Sequence, residues 1–180
     1  RLHGVGPDVG APAFLFAALD NPGLFESLAV GGAAARVDLA GDRLKSLIDS
    51  PQGAFASIDG ANAVSEYLAN AARITPTAII EDFRAASAGP RFESAVQYVR
   101  AYKSDLPPLE KRLGHIQTPV LVIAGKNDPI VPPPNNRLRA ERLPHNRRSL
   151  LEAEHRVWEE AAENYSSQIA SWIQGDYRTV

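Results

Sequence analysis

The first 32 residues constrain the fold more than any other part of the chain, because they spell strand, tight turn, helix and strand in immediate succession. Leu2-His3-Gly4-Val5-Gly6 is a short, partly apolar run suited to a buried strand, and Pro7-Asp8-Val9-Gly10 supplies the turn. Ala11–Leu19 is rich in Ala and Leu, apolar almost all round, and long enough for a buried helix. Pro12 fits there because it falls in the first helical turn, where its missing N–H costs nothing. Asn21-Pro22-Gly23 ends the helix, and Ser27-Leu28-Ala29-Val30-Gly31-Gly32 reads as a second strand. A helix between two strands brings the chain back to the same end of the sheet, so the strands run parallel and the expected class is α/β.

From about Ala33 to Gly114 the pattern becomes helical, with candidate helices near Asp42–Ile48, Asn62–Ala72, Pro76–Ala86 and Phe92–Lys103. Thr75-Pro76 is a helix start, a capping hydroxyl followed by proline at the first helical position. Asp105-Leu106-Pro107-Pro108 is expected to break the helical run. Strand character returns in Pro119-Val120-Leu121-Val122-Ile123-Ala124-Gly125, a continuous apolar run typical of a strand covered on both faces. A short helix near Arg137–Leu143, a strand near Arg148–Glu152 and a helix over Trp158–Gln174 follow. The expected organisation is a parallel-sheet core from residues 1–32 and 116–180, with residues 33–115 forming an inserted helical cap or lid.

Composition removes several function classes. The 180 residues carry a formal charge of −2, so no basic stripe is available for phosphates and no nucleic-acid partner is expected. No apolar run reaches the roughly 18–20 residues that span a bilayer, and no secretory signal is seen, so no membrane partner is expected. The absence of cysteine excludes disulfides and thiolate chemistry and is compatible with a cytoplasmic location. The chain starts at Arg1 and contains no methionine, as expected of a fragment or a processed chain.

Three residues could carry chemistry. Gly6-Pro7-Asp8-Val9-Gly10 has the form Gly-x-nucleophile-x-Gly between a strand and a helix, a strained turn that lifts the central side chain above a sheet beside helix N-terminal N–H groups. Capping of the helix is the alternative role for Asp8. Asp128 follows the strongest strand, where α/β folds place their sites, although a turn residue before Pro129 has the same appearance. His155 lies past the next strand, in a charged loop where a lone histidine is ordinarily solvated. Together they occur in the order nucleophile, acid, histidine, each just after an expected strand.

At these residues the chain resembles the α/β-hydrolase superfamily. Thr118–Trp158 looks like its closing half, with an acid turn and a histidine followed by Val157-Trp158-Glu159-Glu160, and the Asp elbow is similar to the epoxide hydrolase and haloalkane dehalogenase branch. The resemblance implies the C-terminal part of an α/β-hydrolase fold and a hydrolase that needs neither cofactor nor metal. Asp8 would form an alkyl-enzyme ester, His155 oriented by Asp128 would activate water to hydrolyse it, and Val9 would offer its N–H to the oxyanion. A small apolar substrate is implied, an epoxide foremost. The alternatives are ester, lactone or carbon–halogen hydrolysis on the same fold, or an inactive hydrolase-like binding module. Dehalogenases of this branch have tryptophan after the nucleophile, and here that residue is Val9.

Epoxide hydrolases use cap tyrosines as donors to the opening oxirane. The insert offers Tyr67, Tyr98 and Tyr102, of which Tyr67 and Tyr98 are the favoured candidates, with Trp158 as a site wall. Several strands and a His-Gly oxyanion loop normally precede the elbow, and His3-Gly4 cannot replace that loop, since it lies on the strand leading into the turn. Leu2–Gly6 is therefore expected to be a bare edge, completed by the rest of the protein or by a partner chain.

Overall fold

The computed structural model describes residues 2–69 and 75–180. The chain divides into two compact units, Arg1–Lys45 with Tyr102–Val180, and Ser46–Ala101.

The first unit is built on a four-stranded parallel sheet in the order β1 (Leu2–Pro7), β2 (Phe25–Gly31), β3 (Val120–Gly125), β4 (Asn146–Leu151). All six residues of β3 are buried, as the unbroken apolar run requires of a central strand covered on both faces. On one face Leu121, Ile123 and Leu151 pack with Val157, Tyr165, Trp172 and Tyr177, which brings α9 (Ala162–Gln174) against the sheet. On the other face lies α1 (Gly10–Asp20), whose Ala11, Leu15 and Ala18 are buried. A side-chain carbon on Gly4 would lie 2.7 Å from Leu28 and 2.8 Å from Phe14, so α1 packs onto β1 and β2 at glycine distance. β1 has a neighbour on one side only among the described residues, and its Leu2 is 58% exposed.

Four helical expectations change. Phe92–Lys103 is not one helix: α5 (Arg91–Arg100) ends at Ala101, and α6 (Tyr102–Arg112) begins the return into the first unit. Nor does the Pro107-Pro108 pair break the helix, which runs through it. Tyr102, Leu106, Leu109 and Leu113 recur at helical spacing and are all buried. Burial worth about 1.5–3 kcal/mol for each large apolar side chain outweighs an interior proline penalty of about 3 kcal/mol. The C-terminal helix is likewise divided, into α8 (Val157–Glu160) and α9, where Ala161 leaves helical geometry at φ −130°, ψ 40°. The helix between β3 and β4, α7 (Pro134–Arg142), starts slightly earlier than its apolar pattern suggests, with proline at its N-terminus.

The second unit, narrower than the 33–115 segment expected to form the cap, contains α3 (Gly60–Ala69), α4 (Thr77–Ser87) and α5. It follows α2 (Asp42–Asp49), within which the division between the units falls. Residues 70–72 of the helix expected over Asn62–Ala72 lie outside the described residues. Glu93 on α5 accepts the backbone N–H of Gly53 at 2.9 Å and of Phe55 at 3.0 Å, and pairs with Arg100. Arg100 also donates to the carbonyls of Ser50 and Pro51, tying the 50–55 segment to α5. Arg84 of α4 reaches Ser65 of α3 at 2.7 Å. Among the described residues, no helix is long and apolar enough to cross a membrane.

Candidate active site

Because the strands are parallel, the turns that follow β1, β3 and β4 emerge at the same end of the sheet, and these turns carry Asp8, Asp128 and His155. Asp8 sits between β1 and α1 with φ +49°, the left-handed region that a residue with a Cβ enters at a cost. The strain is held in place: Asp8 N–H donates to the Gly31 carbonyl at 2.9 Å, and its own carbonyl accepts Ala11 N–H at 2.9 Å. Gly6 is required by space, since a Cβ there would lie 2.4 Å from Phe14 and 2.8 Å from the Gly10 carbonyl. Gly10 has open space around it, so only the first glycine of the motif is sterically demanded. The Asp8 side chain is 47% exposed, and the N-cap position of α1 is taken by Val9, which offers no side-chain cap. Val9 occupies the N-terminal boundary of α1 with helical torsions, which places its backbone N–H at the positive end of that helix.

Asp128 is fully buried, and each of its oxygens has a defined task. Oδ1 accepts the backbone N–H groups of Ile130 and Val131, both at 2.8 Å, while Oδ2 lies 2.9 Å from His155 Nδ1. The turn-residue role and the partner role are thus combined in one carboxylate. The other ring nitrogen, His155 Nε2, faces Asp8 Oδ2 at 3.7 Å, too far for a direct hydrogen bond. Burial by itself would push the His155 imidazole down from 6.5. The hydrogen bond to Asp128, the approach of Asp8 and the charges of both carboxylates more than reverse this and raise it to about 9. The Trp158 ring stands edge-on to the imidazole, centroids 6.0 Å apart, and forms one wall.

The loop leaving β2 borders the same space: a Cβ at Gly32 would lie 3.7 Å from Asp8 N and 3.9 Å from His155 Cε1. Its continuation is fixed from α7. Asn135 accepts Ala35 N–H at 2.9 Å and donates to the Leu39 carbonyl at 2.8 Å. Buried Arg139 donates to the carbonyls of Ala33 at 3.1 Å and Ala34 at 3.2 Å.

Tyr67 and Tyr98 belong to the Ser46–Ala101 unit, where Tyr67 is half-buried on α3 and Tyr98 is 68% exposed on α5. Tyr98 and Tyr102 do not share a helix face, because the helix break at Ala101 separates them. Tyr102 lies in the unit that carries Asp8, Asp128 and His155. It is 4% exposed, and its hydroxyl makes no hydrogen bond to another protein group among the described residues. Burial and the charge of Asp8 raise the Tyr102 hydroxyl well above its ordinary value against an opposing effect of Arg139, so it stays protonated as a donor. The recurrence of apolar residues at 106, 109 and 113 was the sequence signal that Tyr102 opens an inward-facing helix. Among the described residues, no three His, Asp or Glu side chains gather as a metal site.

No protein-family model matches the chain, and no curated protein sequence matches it. Solved structures do. A 2-hydroxy-6-oxo-6-phenylhexa-2,4-dienoate hydrolase from Rhodococcus sp. strain RHA1 superposes with a TM-score of 0.74 at 19% identity, over 97% of this chain and 64% of that one. An esterase from Thermogutta terrifontis gives 0.75 at 17% identity, over 97% and 65%. The enol-lactonase from Burkholderia xenovorans LB400 gives 0.69 at 20% identity, over 97% and 66%. The chain therefore spans less than two thirds of the length of these structures.

Proposed function

We propose that this chain, whose fold is that of the α/β-hydrolases, is the triad-bearing part of a hydrolase in which Asp8 attacks substrate carbon and His155 delivers water to the resulting ester. The observation that carries the reading is the line Asp128–His155–Asp8, with separations of 2.9 and 3.7 Å, ending on a carboxylate held in strained left-handed backbone. A helix cap has no need of that strain or of a histidine facing it. An epoxide is the substrate class we favour. Asp8 attacks an oxirane carbon, the ring C–O bond breaks, and its electron pair leaves as an alkoxide that takes a proton from a tyrosine hydroxyl. Tyr102, neutral, buried and without an acceptor among the described residues, is the donor we favour in place of Tyr98.

In the second step water gives a proton to His155 Nε2 and attacks the Asp8 ester carbonyl, while Asp128 stabilises the imidazolium. Val9 N–H supports the tetrahedral oxyanion. The alkoxide of the diol then leaves and takes the proton from His155, the proton left on the Asp8 carboxyl returns to the Tyr102 phenolate, and Asp8 is restored carrying one oxygen from water. The missing side of the sheet, beyond β1, would be supplied by the rest of the protein or by a partner chain.

The test is denaturing mass spectrometry of His155→Gln incubated with styrene oxide. The expected result is a covalent adduct that maps to the Asp8 peptide and is absent when Asp8 is also changed to Asn. Epoxide consumed by His155→Gln with an unmodified chain would refute the mechanism. Ester or lactone hydrolysis is the second reading, supported by the esterase and enol-lactonase among the structural neighbours. Turnover of phenyl acetate without label from isotopic water entering Asp8 would favour it.

A further inference from the structure

The loop that presents His155 is gripped from two sides. On its inner side it rests on β3: a Cβ at Gly125 would lie 1.8 Å from the Glu154 carbonyl, and Asn127 N–H donates to the Ala153 carbonyl at 3.0 Å. On its outer side the grip is a carboxylate. Glu160, the last residue of α8, folds back so that Oε2 accepts Glu154 N–H at 2.6 Å and Oε1 accepts Arg156 N–H at 3.2 Å. These are the N–H groups of the two residues on either side of His155. Glu160 is buried, and its Oε1 lies 3.9 Å from Arg156 Nε, so its charge is partly compensated in place.

Capping accounts for half of this arrangement. Arg156 immediately precedes α8, and accepting its N–H closes the helix start from within. The bond to Glu154 has no such purpose, because that residue lies two positions further out. A carboxylate that spans from one to the other brackets the residue between them.

We infer that Glu160 is a positioning residue for His155: by holding the N–H groups of the residues on either side of the histidine, it aims Nε2 at Asp8. The inference deepens the reading of Asp8 and His155 proposed above and rests on it. Charge-assisted bonds from a buried carboxylate are short and stiff, which suits a fixed orientation. Once the backbone at residue 155 is fixed, the bond from Nδ1 to Asp128 has only two side-chain torsions left to set.

Two variants and two readouts test this. Glu160→Ala removes both acceptors, while Glu160→Gln keeps one oxygen and turns an amide NH2 towards the other N–H. The first readout does not depend on turnover: the downfield proton NMR signal of His155 Nδ1–H bonded to Asp128. It should be sharp in the native protein, weakened in Glu160→Gln, and broadened or lost in folded Glu160→Ala.

The second readout uses styrene oxide and follows the covalent ester on Asp8. Its hydrolysis needs the aimed imidazole and should slow about 10- to 100-fold in Glu160→Ala, so the adduct accumulates while alkylation of Asp8 is little changed. A purely structural role would lower the folded fraction, scaling both steps alike and leaving the NMR signal of the folded molecules in place. That unchanged signal, with unchanged partition between the steps, would overturn the inference. Absence of any adduct even in His155→Gln overturns the Asp8 mechanism instead, and the NMR signal then decides the role of Glu160.

Discussion

The protonation of His155 makes stability and turnover respond to pH in opposite directions. Its imidazole is raised from 6.5 to about 9 in the folded protein: burial opposes this, but Asp128 at 2.9 Å and Asp8 at 3.7 Å prevail. Between those two values the folded chain holds a proton that the unfolded chain has released. The contribution is therefore complete below pH 6.5, shrinks as pH rises, and is gone above about 9. At about 1.4 kcal/mol per pH unit the whole interval is worth about 3 kcal/mol. The same proton blocks the base, so in the proposed mechanism the step in which His155 activates water should speed up as pH rises, with its midpoint below 9 because Asp8 carries no charge as an ester. Urea unfolding of the native protein and of His155→Gln, measured from pH 6 to 10, isolates the effect as the difference between two curves. That difference should be flat at the acid end and fall by about 3 kcal/mol on the way to pH 9. Added salt should trim the part due to half-exposed Asp8 and spare the part due to buried Asp128. Superimposable curves, or an imidazole NMR titration centred near 6.5, would refute the electrostatic account of the site.

Three further outcomes follow from the geometry. At pH 10, where the His155 contribution is gone, Asp8→Gly should raise stability by about 1 kcal/mol, because glycine adopts φ +49° without strain, while abolishing ester formation; chemical denaturation and adduct mass spectrometry report the two halves separately. Asp128→Asn should leave the Ile130 and Val131 N–H groups bonded but present the wrong partner to His155 Nδ1, costing about 10⁴ in turnover and lowering the urea midpoint at neutral pH, an effect that fades above about pH 9. Gly125→Ala should destabilise by about 3 kcal/mol, since its methyl group would have to displace the 153–154 backbone, and it should weaken the His155 Nδ1–H signal as well.

What could be read from the residues was what depends on local pattern. The apolar run at 120–125 and the Gly-x-Asp-x-Gly turn were legible because strand burial and elbow geometry write themselves into consecutive residues. The order Asp8, Asp128, His155 then pointed to one end of one sheet, where all three turns emerge. Tyr102 was read on the same helix as Tyr98, because nothing local at Ala101 announces a break, and the return to the sheet is enforced by burial of Leu106, Leu109 and Leu113. The Pro107-Pro108 pair misled for the same reason, since tertiary burial outweighed a local signal. Arg139 and Glu160 were illegible as site supports because each acts on a distant or backward-lying backbone group. A charged side chain carries no pattern that says it will be buried against carbonyls at 33 and 34 or N–H groups at 154 and 156.

Under the proposed mechanism the attacking carboxylate follows β1 and the imidazole follows β4, with the helices of the second unit between them in sequence. No shorter stretch of the chain contains both, so partly formed states hold the ingredients of hydrolysis without the ability to perform it. Contacts between such distant segments are slow to establish, because a long loop must be ordered before they form. Under the proposed mechanism catalytic competence would be acquired in the last stage of assembly, and loss of turnover on mild denaturation should coincide with separation of the segments that carry Asp8 and His155.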